Sequence, residues 1–252
     1  MLELGDRILG PEEPESSRLV SDVFAREGIQ VLTGVTISSV SYADGRFRIA
    51  LGDQEVDAEK VLVAAGRRPN LHDLGLETVG LDPAARSLEV DERMRAAEGL
   101  WALGDVVGEG AFTHVSMYQS AICVRDILGQ DGPTADYRAL PHVTFTDPEV
   151  GSVGMTEKAA RDAGLNVRVG LTDLASSTRG WIAKGEGLIK VVEDADRGVL
   201  VGATSVGPSG GEMLGMLTTA VHAEVPTDTL RSMIYAYPTF HRAVESALAD
   251  LS

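Results

Sequence analysis

The stretch Leu100-Trp101-Ala102-Leu103-Gly104-Asp105-Val106-Val107-Gly108 confines this chain to few folds. It reads as an apolar strand that stops at a Gly-Asp pair, followed by a turn and a helix opening near Phe112-Thr113-His114. In α/β sheets, ligands sit beyond the carboxyl ends of strands, against helix N-termini. Asp105 there is an acceptor for ligand hydroxyls, and Gly104 lets the backbone come close. The spacing therefore predicts a seat for a large polyhydroxylated cofactor.

Upstream, Leu2-Glu3-Leu4 reads as the tail of a strand. An acid at such an end accepts hydrogen bonds from adenosine ribose hydroxyls and repels a 2′-phosphate, so Glu3 favours NAD over NADP. The glycine fingerprint expected about 20 residues before such an acid is not in the chain. Pro14 suits a helix start, where its missing N–H costs nothing. Leu19, Val20, Val23 and Phe24 then share one helical face, and Gly28 marks the stop. Strands are predicted at 30–32, 35–42 and 46–51, with Asp44-Gly45 as a hairpin turn. Val61-Leu62-Val63-Ala64-Ala65 reads as a buried parallel strand bounded by Gly66. After the helix at about 113–128, Gly129 to Pro133 breaks the chain, and a boundary is placed near 135. An α+β pattern follows: strands at 142–145, 167–171, 187–193 and 199–206, a Thr156-capped helix, and helices at roughly 209–223, 226–234 and 238–249.

The Gly104-Asp105 element resembles the second flavin-binding segment of the pyridine nucleotide-disulfide oxidoreductases, the flavoenzymes that include dihydrolipoamide dehydrogenase and mercuric reductase. The helix–strand–hairpin–strand order closing on Gly66-Arg67-Arg68-Pro69-Asn70 is similar to the second half of that family's NAD domain. Thr146 to Gly154, Val201-Gly202-Ala203 and Gly207-Pro208 resemble its interface domain. The resemblance implies an α/β chain. Partial NAD-binding and FAD-binding Rossmann-like segments (1–70 and 71–135) are followed by an α+β dimerisation domain (136–252). It implies FAD and NAD as cofactors, each with an incomplete site. Asp105 with Gly104 would hold the ribityl chain of FAD. The helix start at Thr113, His114 and Val115 would offer N–H groups to the flavin N1/O2 edge. Glu3 would face NAD. A homodimer through residues 140–252 is implied as well.

In disulfide-reducing members a C-terminal motif reads His-x-His-Pro-Thr-x-x-Glu. The second His is the base, and the Glu orients it. Here the segment is Tyr235-Ala236-Tyr237-Pro238-Thr239-Phe240-His241-Arg242. Tyr237 stands at the base position and Arg242 at the Glu position, a departure that mercuric reductases share at the tyrosine. A tyrosine of ordinary pKa near ~10 is a poor base and a good hydrogen-bond donor. His241 reads as a surface or interface residue, and Glu245 as an ion-pair partner of Arg242 one turn on. Thr178, Arg179 and Trp181 are placed in a loop, with Trp181 as packing. Cys123, mid-helix among apolar neighbours, reads as an inert buried thiol.

A net charge of −16 opposes bulk attraction to nucleic acid or an anionic membrane. One cysteine excludes an internal disulfide and any CxxC site, and no metal site is expected. No apolar run approaches the ~20 residues of a membrane span, and no signal peptide is visible. A cytoplasmic location follows. The family's FAD glycine loop, Cys-x4-Cys pair and NAD glycine loop do not occur, so the chain reads as the C-terminal half of a longer flavoenzyme. Its function is expected to be part of an FAD-dependent transfer of hydride from NAD(P)H to a disulfide, quinone-like or metal-ion acceptor. The alternative is an inactive fragment that serves only as a dimerisation module.

Overall fold

The computed structural model describes residues 1–252, which form two compact units: 1–64 together with 141–252, and 65–140. The chain opens with helix α1 (Pro14–Arg26), with proline in its first turn and Gly28 at φ 78° just past its end. Its apolar stripe is buried as the spacing predicts: Val20 packs with Ile8, Val150, Leu188 and Val206, with Leu19 and Phe24 alongside. Strands β1 (Ser39–Ala43), β2 (Arg46–Leu51) and β3 (Gln54–Ala58) form an antiparallel meander. Asp44 and Gly45 both have positive φ, 56° and 77°. That matches the twist of a two-residue hairpin. β3 escaped the sequence reading because Gln54–Ala58 carries only one strong apolar residue, Val56.

Two strand expectations fail in this part of the chain. Residues 30–32 contribute only an isolated parallel bridge, Leu2 to Leu32. Val61–Ala65 forms no strand, and Leu62 and Val63 are 93% and 77% exposed. A parallel strand is stabilised only between neighbours that satisfy its backbone. No strand of the chain pairs with this run, so its apolar side chains stay in solvent.

The 65–140 unit holds β4 (Arg95–Ala97), β5 (Leu100–Trp101) and helix α2 (Thr113–Ile127). β5 is shorter than expected and antiparallel to β4, with a register shift between Arg95 and Ala97. Leu71, Leu76, Leu88, Ala102 and Val107 make one small core, and Met94, Ile122 and Cys123 another.

From Pro141 onward a five-stranded antiparallel sheet forms in the order β6 (Pro141–Thr144), β7 (Glu149–Gly154), β10 (Val199–Gly207), β9 (Leu188–Asp194), β8 (Val167–Asp173). Ala203 pairs with Val153 on one side and Val191 on the other. The helices are α3 (Glu157–Asp162), α4 (Thr178–Ala183), α5 (Gly210–His222), α6 (Thr227–Ser232) and α7 (Ala243–Ala249). Thr156 caps α3 by accepting from the Ala159 amide, as its position predicts. α5 packs on β7 and β10, and α7 on β8 and β9. α7 starts five residues later than expected, because residues 238–242 form turns instead. Residues 178–183, expected as a loop, form α4, since the Ser177 hydroxyl accepts from the Gly180 amide and caps a full turn. No helix is long and apolar enough to cross a membrane.

A charged seam fastens the start of α1 to this sheet. Lys190 of β9, 2% exposed, has its ammonium 2.9 Å from Glu13, 3.2 Å from Glu15 and 2.9 Å from Glu157. Glu12 meets His142 Nε2 at 2.7 Å and accepts from the Ser152 hydroxyl. Burial pushes the Glu12 carboxyl up, but hydrogen bonds to His142 and Ser152 outweigh it and hold the carboxyl below its usual range. Burial pushes Lys190 down, and hydrogen bonds to Glu157 and Glu13 bring it above its usual value.

Gly170 of β8 lies so close to α7 that a β-carbon there would stand 1.9 Å from the Ala247 carbonyl oxygen. Backbone cannot yield as a side-chain tip can. Gly170→Ala is therefore expected to cost about 1–3 kcal/mol, as overpacked cores do. Urea denaturation of the variant measures it, and a midpoint equal to that of the parent chain would show that α7 is not pressed on β8.

Candidate functional site

The Gly104-Asp105 pair opens a 3-10 turn (Gly104–Val107) laid against the first turns of α2. Gly104 adopts φ 78°, a left-handed conformation that a side chain would strain, and a β-carbon there would sit 3.5 Å from Ser116 Cβ. Its amide donates to Gln119 Oε1 at 2.6 Å, and Gln119 Nε2 donates to the Tyr137 hydroxyl at 2.8 Å. Gln119 is fully buried. This one side chain ties the glycine, the helix and the 135–140 segment together. Sequence reading missed it, because a lone glutamine in a helix carries no pattern.

Asp105 is exposed, with its side chain 47% accessible, and its carboxylate meets Arg67 at 3.1 Å. Arg67 Nη1 also donates to the Ala111 carbonyl at 3.3 Å. The arginine of the Gly66-Arg67-Arg68-Pro69-Asn70 turn thereby links the carboxylate to the loop just before α2. Phe112 precedes the helix in extended conformation and stacks with His114, ring centres 5.3 Å apart. Thr113 and His114 are exposed, and Val115 is buried at 3%. The expectation of a free amide at Val115 is corrected here: its N–H donates to the Phe112 carbonyl at 3.1 Å. The helix already folds back on its own N-cap residue at that point.

The residues at this turn suit a flavin's sugar-alcohol tail. A glycine without side-chain bulk precedes an accessible acceptor carboxylate, and the positive end of a 15-residue helix lies beside them. Asp126 supports the arrangement from the far end of α2. It accepts from Arg95 Nε at 2.6 Å and from Trp101 Nε1 at 2.8 Å, fastening β4 and β5 to the helix. These hydrogen bonds, Arg95 first and then Trp101, lower its carboxyl to about 2. Cys123 lies one turn away, buried, and burial followed by the Asp126 charge pushes its thiol up. A raised thiol pKa disfavours the thiolate needed for nucleophilic chemistry.

The structure brings Gly104, Asp105, Thr113, His114 and Val115 together within the 65–140 unit. Glu3 and Tyr237 lie in the other unit. Glu3 pairs by its backbone with Leu32, and its carboxylate accepts from the Gly5 amide at 2.7 Å. Tyr237 is 66% exposed, its hydroxyl donates to Thr178 Oγ1 at 3.1 Å, and the Arg242 guanidinium sits 5.6 Å over its ring. Arg242 pairs with Glu245 at 3.1 Å, as the spacing predicts. His241 lies tilted against Tyr235, whose buried hydroxyl donates to Leu230 and is pushed by burial up to about 12. Trp181, expected as packing, stands on α4 and is 77% exposed.

Two family models match, both described as pyridine nucleotide-disulphide oxidoreductase: residues 1–120, and the dimerisation domain over residues 140–248. The chain belongs to the pyridine nucleotide-disulphide oxidoreductase family. It is 32% identical to dihydrolipoyl dehydrogenase of Thermus scotoductus over 260 residues, covering 100% of this chain and 56% of that protein. It is also 32% identical to the enzyme of the same name from Geobacillus stearothermophilus, covering 98% of this chain and 54% of the relative. The chain spans about half the length of the curated relatives it matches. Its fold superposes on LpdA of Mycobacterium tuberculosis with a TM-score of 0.89 at 23% identity, over 98% of this chain and 55% of that one. The Escherichia coli flavoprotein disulfide reductase RclA superposes at 0.86 and 24%, over 98% and 58%. The partial Rossmann-like segments and the α+β domain expected from sequence are thus the family's fold.

Two outcomes follow from this geometry. Gln119→Leu leaves the buried Gly104 amide unpaired and is expected to cost about 1–3 kcal/mol in denaturant titration. An unchanged midpoint would mean that Gln119 holds nothing. Asp126 is lowered on folding, so its stabilisation is complete above its ordinary 3.8 and is lost as pH falls toward about 2. Trp101 fluorescence in a Trp181→Phe background is expected to report opening of the 65–140 unit across that window. Asp126→Asn should flatten the acid limb, and an identical limb in the variant would remove Asp126 from the account.

Proposed function

We propose that this chain is part of an FAD-dependent oxidoreductase that passes hydride from NAD(P)H through flavin to an acceptor, a disulfide, quinone-like compound or metal ion. The observation that carries the reading is the accessible Asp105 carboxylate behind a left-handed Gly104 at the start of α2. Bound there, the flavin supplies the hydride chemistry, and the protein supplies orientation and electrostatics. Asp105 accepts from the ribityl hydroxyls while Arg67 holds it in place. The amide end at Thr113 and His114, with Val115 fixing the first turn, favours negative charge on the flavin edge. Glu3 serves the nicotinamide nucleotide's ribose in the same reading.

Residues 1–70 then act as part of an NAD-binding domain, 71–135 as the second FAD-binding segment, and 136–252 as the interface domain. Tyr237 stands at the family's base position as a hydrogen-bond donor, with Arg242 in place of the orienting acid. The large exposed apolar groups Phe145, Trp181 and Ile234, 82%, 77% and 96% accessible, support a homodimer through residues 140–252. A cytoplasmic location belongs to the same reading.

A second reading, a dimerisation module without turnover, rests on the thiol count. Cys123 is the sole cysteine and is buried, so this chain holds no dithiol pair to take electrons from a flavin. Both readings agree that the chain by itself is inactive with NADH, and they part in the complete protein. There the first predicts a flavin band near about 450 nm that NADH bleaches. Asp105→Ala is expected to abolish that band while far-UV circular dichroism stays unchanged. Full flavin content in the variant would overturn the assignment of Asp105, and a colourless complete protein would favour the second reading.

A further inference from the structure

The structure assigns a second binding site: we propose that the cavity of about 210 Å³ beside Tyr237 takes a small oxyanion, the phosphate or carboxylate head of an organic acid. Its polar lining includes Thr178, Arg179, Tyr237, Arg242 and Ser246. No carboxylate lines it, in a chain whose net charge is −16. Two guanidinium groups with no acid in the lining give the cavity a local excess of positive charge.

The hydrogen-bonding state of each group favours an acceptor ligand. Arg179 has no ion pair, and its guanidinium lies 5.6 Å over the Phe240 ring, which leaves its N–H edge open. Arg242 gives one nitrogen to Glu245 and keeps the rest of a five-donor fork. Tyr237 donates to Thr178 Oγ1, so the threonine proton is released for a ligand. The Ser176 hydroxyl is already spent on the Asp173 carbonyl. What remains open to a ligand is the Arg179 fork, the rest of the Arg242 fork and the Thr178 proton. Planar guanidinium forks bind carboxylate and phosphate in two-point fashion. A neutral disulfide would leave these donors unsatisfied.

The binding inference stands without the flavin. Its extension, that the acceptor of the proposed oxidoreductase carries an anionic group, rests on the reading of Tyr237 given above. The test is calorimetric titration of the chain with inorganic phosphate and, separately, with succinate. At least one is expected to bind saturably at one site per chain, and the preference tells a tetrahedral head from a planar one. Arg179→Ala is expected to weaken binding about tenfold or more, as loss of a charged donor does, while Arg179→Lys keeps part of it. Arg179 lies on the surface without an ion pair, so the variant's thermal melt should match that of the parent chain. Arg242→Ala should weaken binding too, but this residue also precedes α7, so the decision lies with Arg179. Absence of binding by both anions, or equal binding by Arg179→Ala, would overturn the site. Flavin content of the complete protein reports separately on Asp105.

Discussion

The Lys190 ammonium is buried among three carboxylates that arrive from two distant parts of the chain, Glu13 and Glu15 at the start of α1 and Glu157 at the start of α3. Moving such charges out of water is expensive unless each finds partners. Here the partners are complete enough that hydrogen bonding outweighs burial for both Lys190 and Glu12. The consequence is positional. An apolar patch on α1 tolerates sliding along a sheet, whereas an ammonium with fixed acceptors does not. The seam therefore sets where α1 sits on β7 and β9, and the core of Ile8, Val20, Val150, Leu188 and Val206 closes around it. Residues 1–64 and 141–252 become one unit through these contacts.

The 65–140 unit follows another logic. It has little sheet, since β4 and β5 are three and two residues long. Its order comes from side chains that reach across to α2: Gln119 to Gly104 and Tyr137, Asp126 to Arg95 and Trp101. Helix α2 carries both anchors: Gln119 holds Gly104 at the start of the turn, and Asp126 holds Trp101 just before it. That explains how an accessible carboxylate such as Asp105 holds one place without being buried. Its neighbours on the chain are anchored, and Arg67 restrains it from the outside. A cofactor contact needs this combination of exposure and fixed position, because a buried carboxylate would be unreachable and a loose one would lose its orienting entropy on binding.

Electrostatics divides the molecule in a similar way. The chain carries a net charge of −16, yet the cavity near Tyr237 gathers Arg179 and Arg242 with no acid in its lining. The Arg242–Glu245 pair keeps one of these cations seated at the start of α7.

Where the determinants are local, the residues alone were decisive. Pro14 with the 19, 20, 23, 24 stripe fixed α1, Asp44-Gly45 fixed the hairpin, Thr156 fixed the start of α3, and Gly104-Asp105 marked the turn before α2. Each rests on backbone sterics or on side chains within about one helical turn, which a linear string displays. Long-range partners decided the rest. Val61–Ala65 has strand composition but no strand beside it, and Leu62 and Val63 face solvent. Gln119, Asp126 and Lys190 became structural anchors through residues between 15 and 177 positions away. A buried polar contact is specified by geometry at both of its ends, and only the folded chain brings those ends together.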